Sequence, residues 1–268
     1  MQQAIAILDS GVGGLTVVRE VMRQLPQEKI IYFGDTARAP YGPRREEEVV
    51  RFTRQIVQYL IQYQPKLIVI ACNTATALAL QDIREQVQIP VLGVIQPGAR
   101  AALSCTRSGI IGVIGTENTI KSGAYREALQ TISPTTHVIS KACPELVPIV
   151  EKGLFDSRES RAVVRDSLAS LVRYPIDCLI LGCTHYPFLS DAISEVMGPD
   201  VTLINSAEET ARETSAVLYH RGQLAESGTI PVHQLFCSGN ADMFKRIARQ
   251  WLSDYISVTS VVWQVTKL

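Results

Sequence analysis

Short runs rich in valine, isoleucine and leucine recur along the chain at 3–8, 29–33, 67–71, 90–95, 109–114, 135–140, 177–182, 201–204, 231–236 and 258–263. Segments of helical length separate them. Short apolar-rich runs alternating with helix-length amphipathic segments read as parallel strands covered on both sides by helices. The helical period is clearest from Arg44 to Tyr63, where Val49, Phe52, Ile56, Leu60 and Tyr63 recur at three- and four-residue intervals. The fold class is therefore α/β with mostly parallel sheets.

A duplication lies beneath this alternation. The first run ends in "ILDSG" and the run at 109–114 ends in "VIGTE", which places a hydroxyl, Ser10 or Thr116, at the same point of each turn. Cys72 follows Ser10 by about 62 residues, and Cys183 follows Thr116 by about 67, each closing another apolar run ("LIVIACNTAT" and "LILGCTHYP"). Two similar lobes with a polar cleft between them account for the pattern better than a short-repeat solenoid. The expected boundaries are 1–97 plus 207–268 for a discontinuous first lobe and 98–206 for the second. "QPG" at 96–98 and "NSAEE" at 205–209 are the expected crossings, the second capping a helix.

Composition narrows the partner. The 26 basic and 26 acidic side chains cancel, and they form no block of like charge, so a nucleic-acid or anionic-membrane binder is not indicated. The N-terminal stretch lacks the pattern of a signal peptide, and no apolar run approaches the ~18–20 residues of a membrane span. A small-molecule substrate and a cytoplasmic location are expected, with the six cysteines reduced and no CxxC pair to indicate a metal site. Cys105, Cys143, Cys178 and Cys237 are expected to be buried packing residues.

In open parallel sheets, ligands bind beyond the carboxyl ends of strands, where the distinctive residues of this chain fall. The "DSGVGG" loop resembles a dinucleotide loop, and Asp35 stands where a ribose-binding acid would. But Thr16 occupies the third glycine position, and Asp9 would repel a pyrophosphate. A glycine turn serving close packing is the stronger alternative.

The cysteine turns carry more. An ordinary thiol is only about 3% thiolate at pH 7, and a helix N-terminus contributes ~0.3–2 kcal/mol, so a neighbour such as His185 or a carboxylate must supply the rest. Small polar residues follow each cysteine, Asn73–Thr74 in one case and Thr184–His185 in the other, and they can hold a carboxylate or ammonium group without adding charge. A hydrolase needs one nucleophile and one base. Inverting a carbon centre needs two acid/base groups, one on each face. The rival from another class is a two-lobed amino-acid-binding protein.

Other residues are less telling. Tyr41–Gly42 could close over a ligand through the tyrosine hydroxyl or a backbone N–H. Glu151 ends a short helix, where a solvated glutamate is the default, and Trp251 and Trp263 read as core residues. The acids in "REEEVVR" at 45–51 suit a solvated first helical turn.

The motifs "DSGVGGL" (9–15), "APYG" (39–42), "ACNTAT" (71–76), "GTENT" (115–119), "GCTHYP" (182–187) and "INSAEETA" (204–211) together resemble the cofactor-independent glutamate racemases, as does "FCSGNADMF" near the end. These enzymes supply D-glutamate for bacterial cell-wall peptidoglycan. The resemblance implies two flavodoxin-like lobes with the site between them. It makes Cys72 the acid/base for the D-enantiomer and Cys183 that for the L-enantiomer, supported by Asp9, Glu151 and His185. Asp9, Ser10, Pro40, Tyr41, Gly42, Asn73, Thr74, Thr116, Thr119, Thr184 and His185 are implied to surround the substrate. No cofactor or metal is implied, and the seven lysines all lie outside these turns. A homodimer is compatible with the family. Gln96 stands where an acidic residue is commoner. An aspartate or broad-specificity racemase is the nearest rival, since one methylene discriminates by only ~1–3 kcal/mol.

Overall fold

The computed structural model describes residues 3–226, 228, 230–252 and 256–261. The first half of the chain runs β1 (Ile5–Asp9), α1 (Leu15–Gln24), β2 (Ile30–Gly34), α2 (Glu46–Ile61), β3 (Leu67–Ile70), α3 (Asn73–Gln86), β4 (Val91–Gly93) and α4 (Ile95–Cys105). It continues with β5 (Ile110–Gly115), α5 (Glu117–Lys121), α6 (Ala124–Ile132), β6 (His137–Ala142), α7 (Leu146–Glu151), α8 (Arg158–Leu168) and β7 (Cys178–Gly182). A 3₁₀ turn (Tyr186–Leu189) leads to α9 (Ser190–Met197), β8 (Thr202–Ile204), α10 (Ser206–His220), β9 (His233–Cys237), α11 (Ala241–Trp251) and β10 (Ile256–Ser260).

The strands form a six-stranded sheet in the order β10-β9-β2-β1-β3-β4 and a four-stranded sheet in the order β6-β5-β7-β8. Every pairing is parallel. The run β2-β1-β3-β4 of the first sheet and the whole of the second share one order when numbered from their own first strand, namely 2-1-3-4. This flavodoxin-like order is the structural form of the duplication seen in the turns. The chain leaves β1 for β2 on one side and then returns to β3 on the other, and β5, β6 and β7 repeat the move. Each sheet therefore has a switch point, between β1 and β3 and between β5 and β7, where the helices diverge and a crevice opens.

Burial follows the two-residue period of a strand. Ile5 and Ile7 point into a core shared with α1, α10 and α11, while Ala6 and Leu8 join the core under α2 and α3. In the smaller sheet, Leu179 and Leu181 face α7, α8 and α9, whereas Cys178 and Ile180 face α4 and α6. Both faces of the central strands are covered, which is why runs such as β3 and β7 show no polar alternation, while the edge strand β6 stays partly exposed along its length. No helix among the described residues is long and apolar enough to cross a membrane.

Several expectations change. The α2 helix starts at Glu46, where the Glu48 carboxylate reaches back to accept from the Arg45 N–H at 3.3 Å. "QPG" is no loop: Pro97 sits in the first turn of α4, where a missing N–H leaves no bond unmade, so a helix makes the crossing. Gln96 beside it is exposed. Asn205 does cap α10, accepting from the Ala207 N–H at 3.1 Å. Cys105 is exposed at the end of α4, contrary to the buried role expected, while Cys143, Cys178 and Cys237 are buried. Trp251 lies between the lobes rather than within one core: its ring is 4.1 Å from that of Phe188, and the Arg19 guanidinium lies 4.6 Å above it. Trp263 and the end of the 258–263 run lie outside the described residues.

Candidate active site

The crevices at the two switch points face each other across one narrow cavity of about 20 Å³. The six-stranded sheet contributes Ser10 after β1, Cys72, Asn73 and Thr74 after β3, and the turn Pro40–Gly42 after β2. The four-stranded sheet contributes Thr116 after β5, Cys183, Thr184 and His185 after β7, and Val147 from α7. A larger open groove between α8 and α9, lined by Arg161, Arg165 and Glu195, holds neither cysteine nor histidine and lies away from these strand ends.

Cys72 is the N-cap of α3. Its Sγ accepts from the Ala75 N–H at 3.4 Å and lies 3.6 Å from Ser10 Oγ. Burial and the nearby negative charge of Asp9 push the thiol up to about 12, against the opposing pull of these two hydrogen bonds. Near neutral pH Cys72 is therefore a thiol, the form that donates a proton.

Cys183 has a different neighbour. Its Sγ lies 3.7 Å from Nδ1 of His185, whose Nε2 is 2.5 Å from Glu151 Oε1. Burial alone would lower the imidazole's pKa, but the hydrogen bonds and negative charge of Cys183 and Glu151 outweigh it and hold His185 well above its usual value. An imidazolium 3.7 Å from the Cys183 sulfur is a cation placed to stabilise negative charge that develops there. Glu151 is thus not the solvated residue its place at a helix end suggested: it turns inward onto His185 and is only a quarter exposed. Asp9 is buried, which raises its pKa against the opposing charge of His185, and it accepts from the Gly11 N–H at 3.0 Å and the Thr184 hydroxyl at 3.2 Å.

A pH effect follows with a definite sign. The Glu151 charge raises the His185 pKa, so Glu151→Gln lowers it and converts imidazolium to neutral imidazole at a lower pH. The alkaline limb of any activity that uses Cys183 together with His185 is expected to move to lower pH, measured as a pH–rate profile against the unmutated chain.

The glycine loop has a packing explanation. A Cβ at Gly13 would stand 2.3 Å from Thr184 Oγ1 and 2.8 Å from His185 Nδ1, and one at Gly11 would stand 2.9 Å from Glu151 Oε1. These glycines let the loop after β1 touch the loop after β7. Protein atoms fill the space a pyrophosphate would need. Asp35, the candidate ribose ligand, is taken up by Arg38, Tyr41 and Ser238.

The remaining polar groups frame the cavity. Asn73 Oδ1 accepts from the Tyr125 hydroxyl at 2.6 Å, while its buried Nδ2 has no acceptor among the described residues. A buried amide donor left open at a cavity wall fits an anionic ligand oxygen. Thr74, Thr116 and Thr119 join their hydroxyls at 2.9–3.2 Å across the lobes. Thr119 is the corner of this triangle that does not line the cavity. Tyr41 lines the cavity, but its hydroxyl bonds Asp35, so of the two groups considered only the backbone N–H is left for a ligand.

Comparison with known proteins decides between the readings. The profile of the Asp/Glu/Hydantoin racemase family matches residues 11–214. A glutamate racemase of Oceanobacillus iheyensis is 52% identical over 250 residues, covering 93% of this chain and 91% of its own length. The chain belongs to the glutamate racemase family. It is an isomerase, and its fold is that of solved racemases. A crystal structure of a glutamate racemase from Bacillus anthracis is 49% identical, with a TM-score of 0.93 and 97% of each chain covered. That from Francisella tularensis, in complex with D-glutamate, is 31% identical with a TM-score of 0.90, covering 100% of this chain and 99% of its own.

Sequence reasoning did not single out three residues near this racemase cavity. Val147 precedes Glu151 by one helical turn, so the same face of α7 carries both. The i−4 spacing was a usable signal. Tyr125 and Asn118 approach from other helices through contacts at a sequence separation of 52 and 74 residues, and no local pattern marks them.

Proposed function

We propose that the chain interconverts L- and D-glutamate by moving the Cα proton between two cysteines. The observation that carries this is the pair itself: sulfurs from equivalent turns of duplicated lobes line one cavity, Cys72 under the influence of the Asp9 charge and Cys183 beside the His185 imidazole. From L-glutamate, the Cys183 thiolate, paired with imidazolium, takes the proton from one face of Cα. The Cys72 thiol gives its proton to the opposite face. From D-glutamate the roles exchange, with Asp9 the buried carboxyl available to take the Cys72 proton. The substrate ammonium group entering the cavity favours a thiolate on either side.

The negative charge that develops on the α-carboxylate is met by donors already in place: the open Nδ2 of Asn73, the hydroxyl of Thr74 and the N–H groups of the Tyr41–Gly42 turn, while the Thr184 hydroxyl, which donates to Asp9, lines the wall beside them. Thr116 and Ser10 complete the polar wall, and Pro40 its rim. The resulting D-glutamate would serve peptidoglycan synthesis, and the enzyme would work in the cytoplasm.

Circular dichroism on purified, dialysed protein tests the activity. L-glutamate is expected to lose its signal completely, because enantiomers have equal free energies, while L-aspartate at the same concentration changes much more slowly. Equal rates on the two would reassign the substrate. Growth of a D-glutamate-requiring bacterial strain on expression of this chain tests the physiological role.

A further inference from the structure

The "FCSGNADMF" stretch and Asp35 have no part in the proton transfers, yet the structure joins them beneath the cavity. Asp35 follows β2, and its N–H donates to Asp9 O at 3.0 Å, continuing the ladder one step beyond the strand. Its buried carboxylate is met on both oxygens. Oδ1 accepts from Ser238 Oγ at 2.7 Å; Oδ2 accepts from Arg38 Nε at 2.6 Å and from the Tyr41 hydroxyl. Ser238 Oγ accepts in turn from the Ala37 N–H at 3.0 Å, and the Gly239 N–H donates to Thr36 Oγ1 at 2.9 Å.

The 36–41 segment is thus pinned from the first lobe at both ends, and it leads into Pro40–Gly42 on the cavity wall. From the second lobe, Asn118 donates its N–H to Gly42 O at 3.4 Å and its Nδ2 to Arg44 O at 2.6 Å. A Cβ at Gly42 would lie 2.8 Å from Thr116 Cβ, so the turn has no room to move inward. The N–H groups of Tyr41 and Gly42 have no acceptor among the described residues. A carboxylate buried with this many donors is costly to assemble and rigid once assembled. A ligand site needs that rigidity to within about 0.5 Å.

We propose that Asp35 is a positioning residue for the racemisation, holding the Tyr41 hydroxyl, with Ser238 behind it, so that the Tyr41 and Gly42 N–H groups stand ready for a substrate carboxylate. This rests on the two-cysteine reading of the cavity. Burial and the Asp35 charge keep the tyrosine hydroxyl well above its usual pKa, so it stays a donor throughout the working range. Loosening the anchor frees the turn only outward, which weakens binding before it touches the cysteines.

The test uses Tyr41→Phe, Asp35→Asn and Ser238→Ala, singly, with the Tyr41→Phe/Asp35→Asn pair. Tyr41→Phe keeps the ring that packs on Phe52 at 5.7 Å and removes only the donor, so it carries the test even if Asp35→Asn fails to fold. The expected result is a fall in kcat/KM of about tenfold for both enantiomers, the loss of one charge-assisted hydrogen bond, expressed mainly as a raised KM. The double variant should be no worse than the poorer single one. A KM within about twofold of the unmutated value in Tyr41→Phe, a fall confined to kcat, or additive losses would each overturn the proposal. Cysteine variants assayed alongside separate the two ideas: if they still racemise glutamate, the two-cysteine reading fails regardless of KM. If they do not and KM is unmoved, only the role of Asp35 fails.

Discussion

Cys72→Ser and Cys183→Ser are each expected to lower glutamate interconversion by about 10²- to 10⁴-fold, the usual contribution of a positioned acid/base group. Serine preserves the shape of the side chain, but its hydroxyl is a far weaker acid than a thiol. With Cys72→Ser the first-lobe group cannot readily donate to Cα, and with Cys183→Ser the second-lobe group cannot form the anion that His185 would pair with. Under the proposed mechanism both directions suffer in both variants, because every passage through the planar intermediate would use both groups. The proposed substrate donors, Asn73, Thr74 and the 41–42 turn, remain in place, so the loss is expected to fall on kcat with little change in KM. A double variant should lose little more than either single one. Initial rates by circular dichroism, started from each enantiomer, check all of this; a single variant retaining a tenth of the activity would contradict it.

Gly13→Ala is expected to cost about 100-fold in kcat, as an approximately 1 Å displacement in a catalytic array commonly does. The added methyl carbon would fall 2.3 Å from Thr184 Oγ1 and 2.8 Å from His185 Nδ1, so the loop after β7 must retreat. That retreat lengthens the 3.7 Å contact between His185 and Cys183 and breaks the bond from Thr184 to Asp9. Overpacking at a tight contact also lowers stability by about 1–3 kcal/mol. Steady-state rates and a thermal melt measure the two effects together. Gly109→Ala is the contrast: an added Cβ there meets no atom within 4 Å, and its cost comes from the φ of +71° rather than from the cavity. It should lower the melting temperature while leaving the pH–rate profile in place.

The central strands were legible because parallel strands buried on both faces must be apolar throughout, and each expected run meets a strand in the structure, including the more polar edge strand β6. The strand order was not legible. What places Ser10 beside Cys72 is the return of β3 to the far side of β1, and pairing across 62 residues leaves no local mark. The cysteine turns were readable as a pair because duplication repeats a local pattern. Glu151 was the harder case: its sequence context is that of any exposed helix end, and only the histidine 34 residues later gives it a partner. Cys105 misled for the opposite reason, since cysteine composition favours burial, but the last turn of α4 turns this side chain to solvent. The glycines of "DSGVGG" were read correctly as a close approach, although not what they approach.

Proton bookkeeping during early turnover in heavy water tests the central claim most directly. Starting from protiated L-glutamate, the D-glutamate first formed should carry deuterium at Cα, while the L-glutamate still unreacted keeps its protium. That outcome requires one group to remove hydrogen and a separate, solvent-equilibrated group to deliver it to the other face. If the D-glutamate instead retained the protium of its precursor, one shared base would be carrying hydrogen across the stereocentre, and the assignment of opposed roles to Cys72 and Cys183 would be wrong.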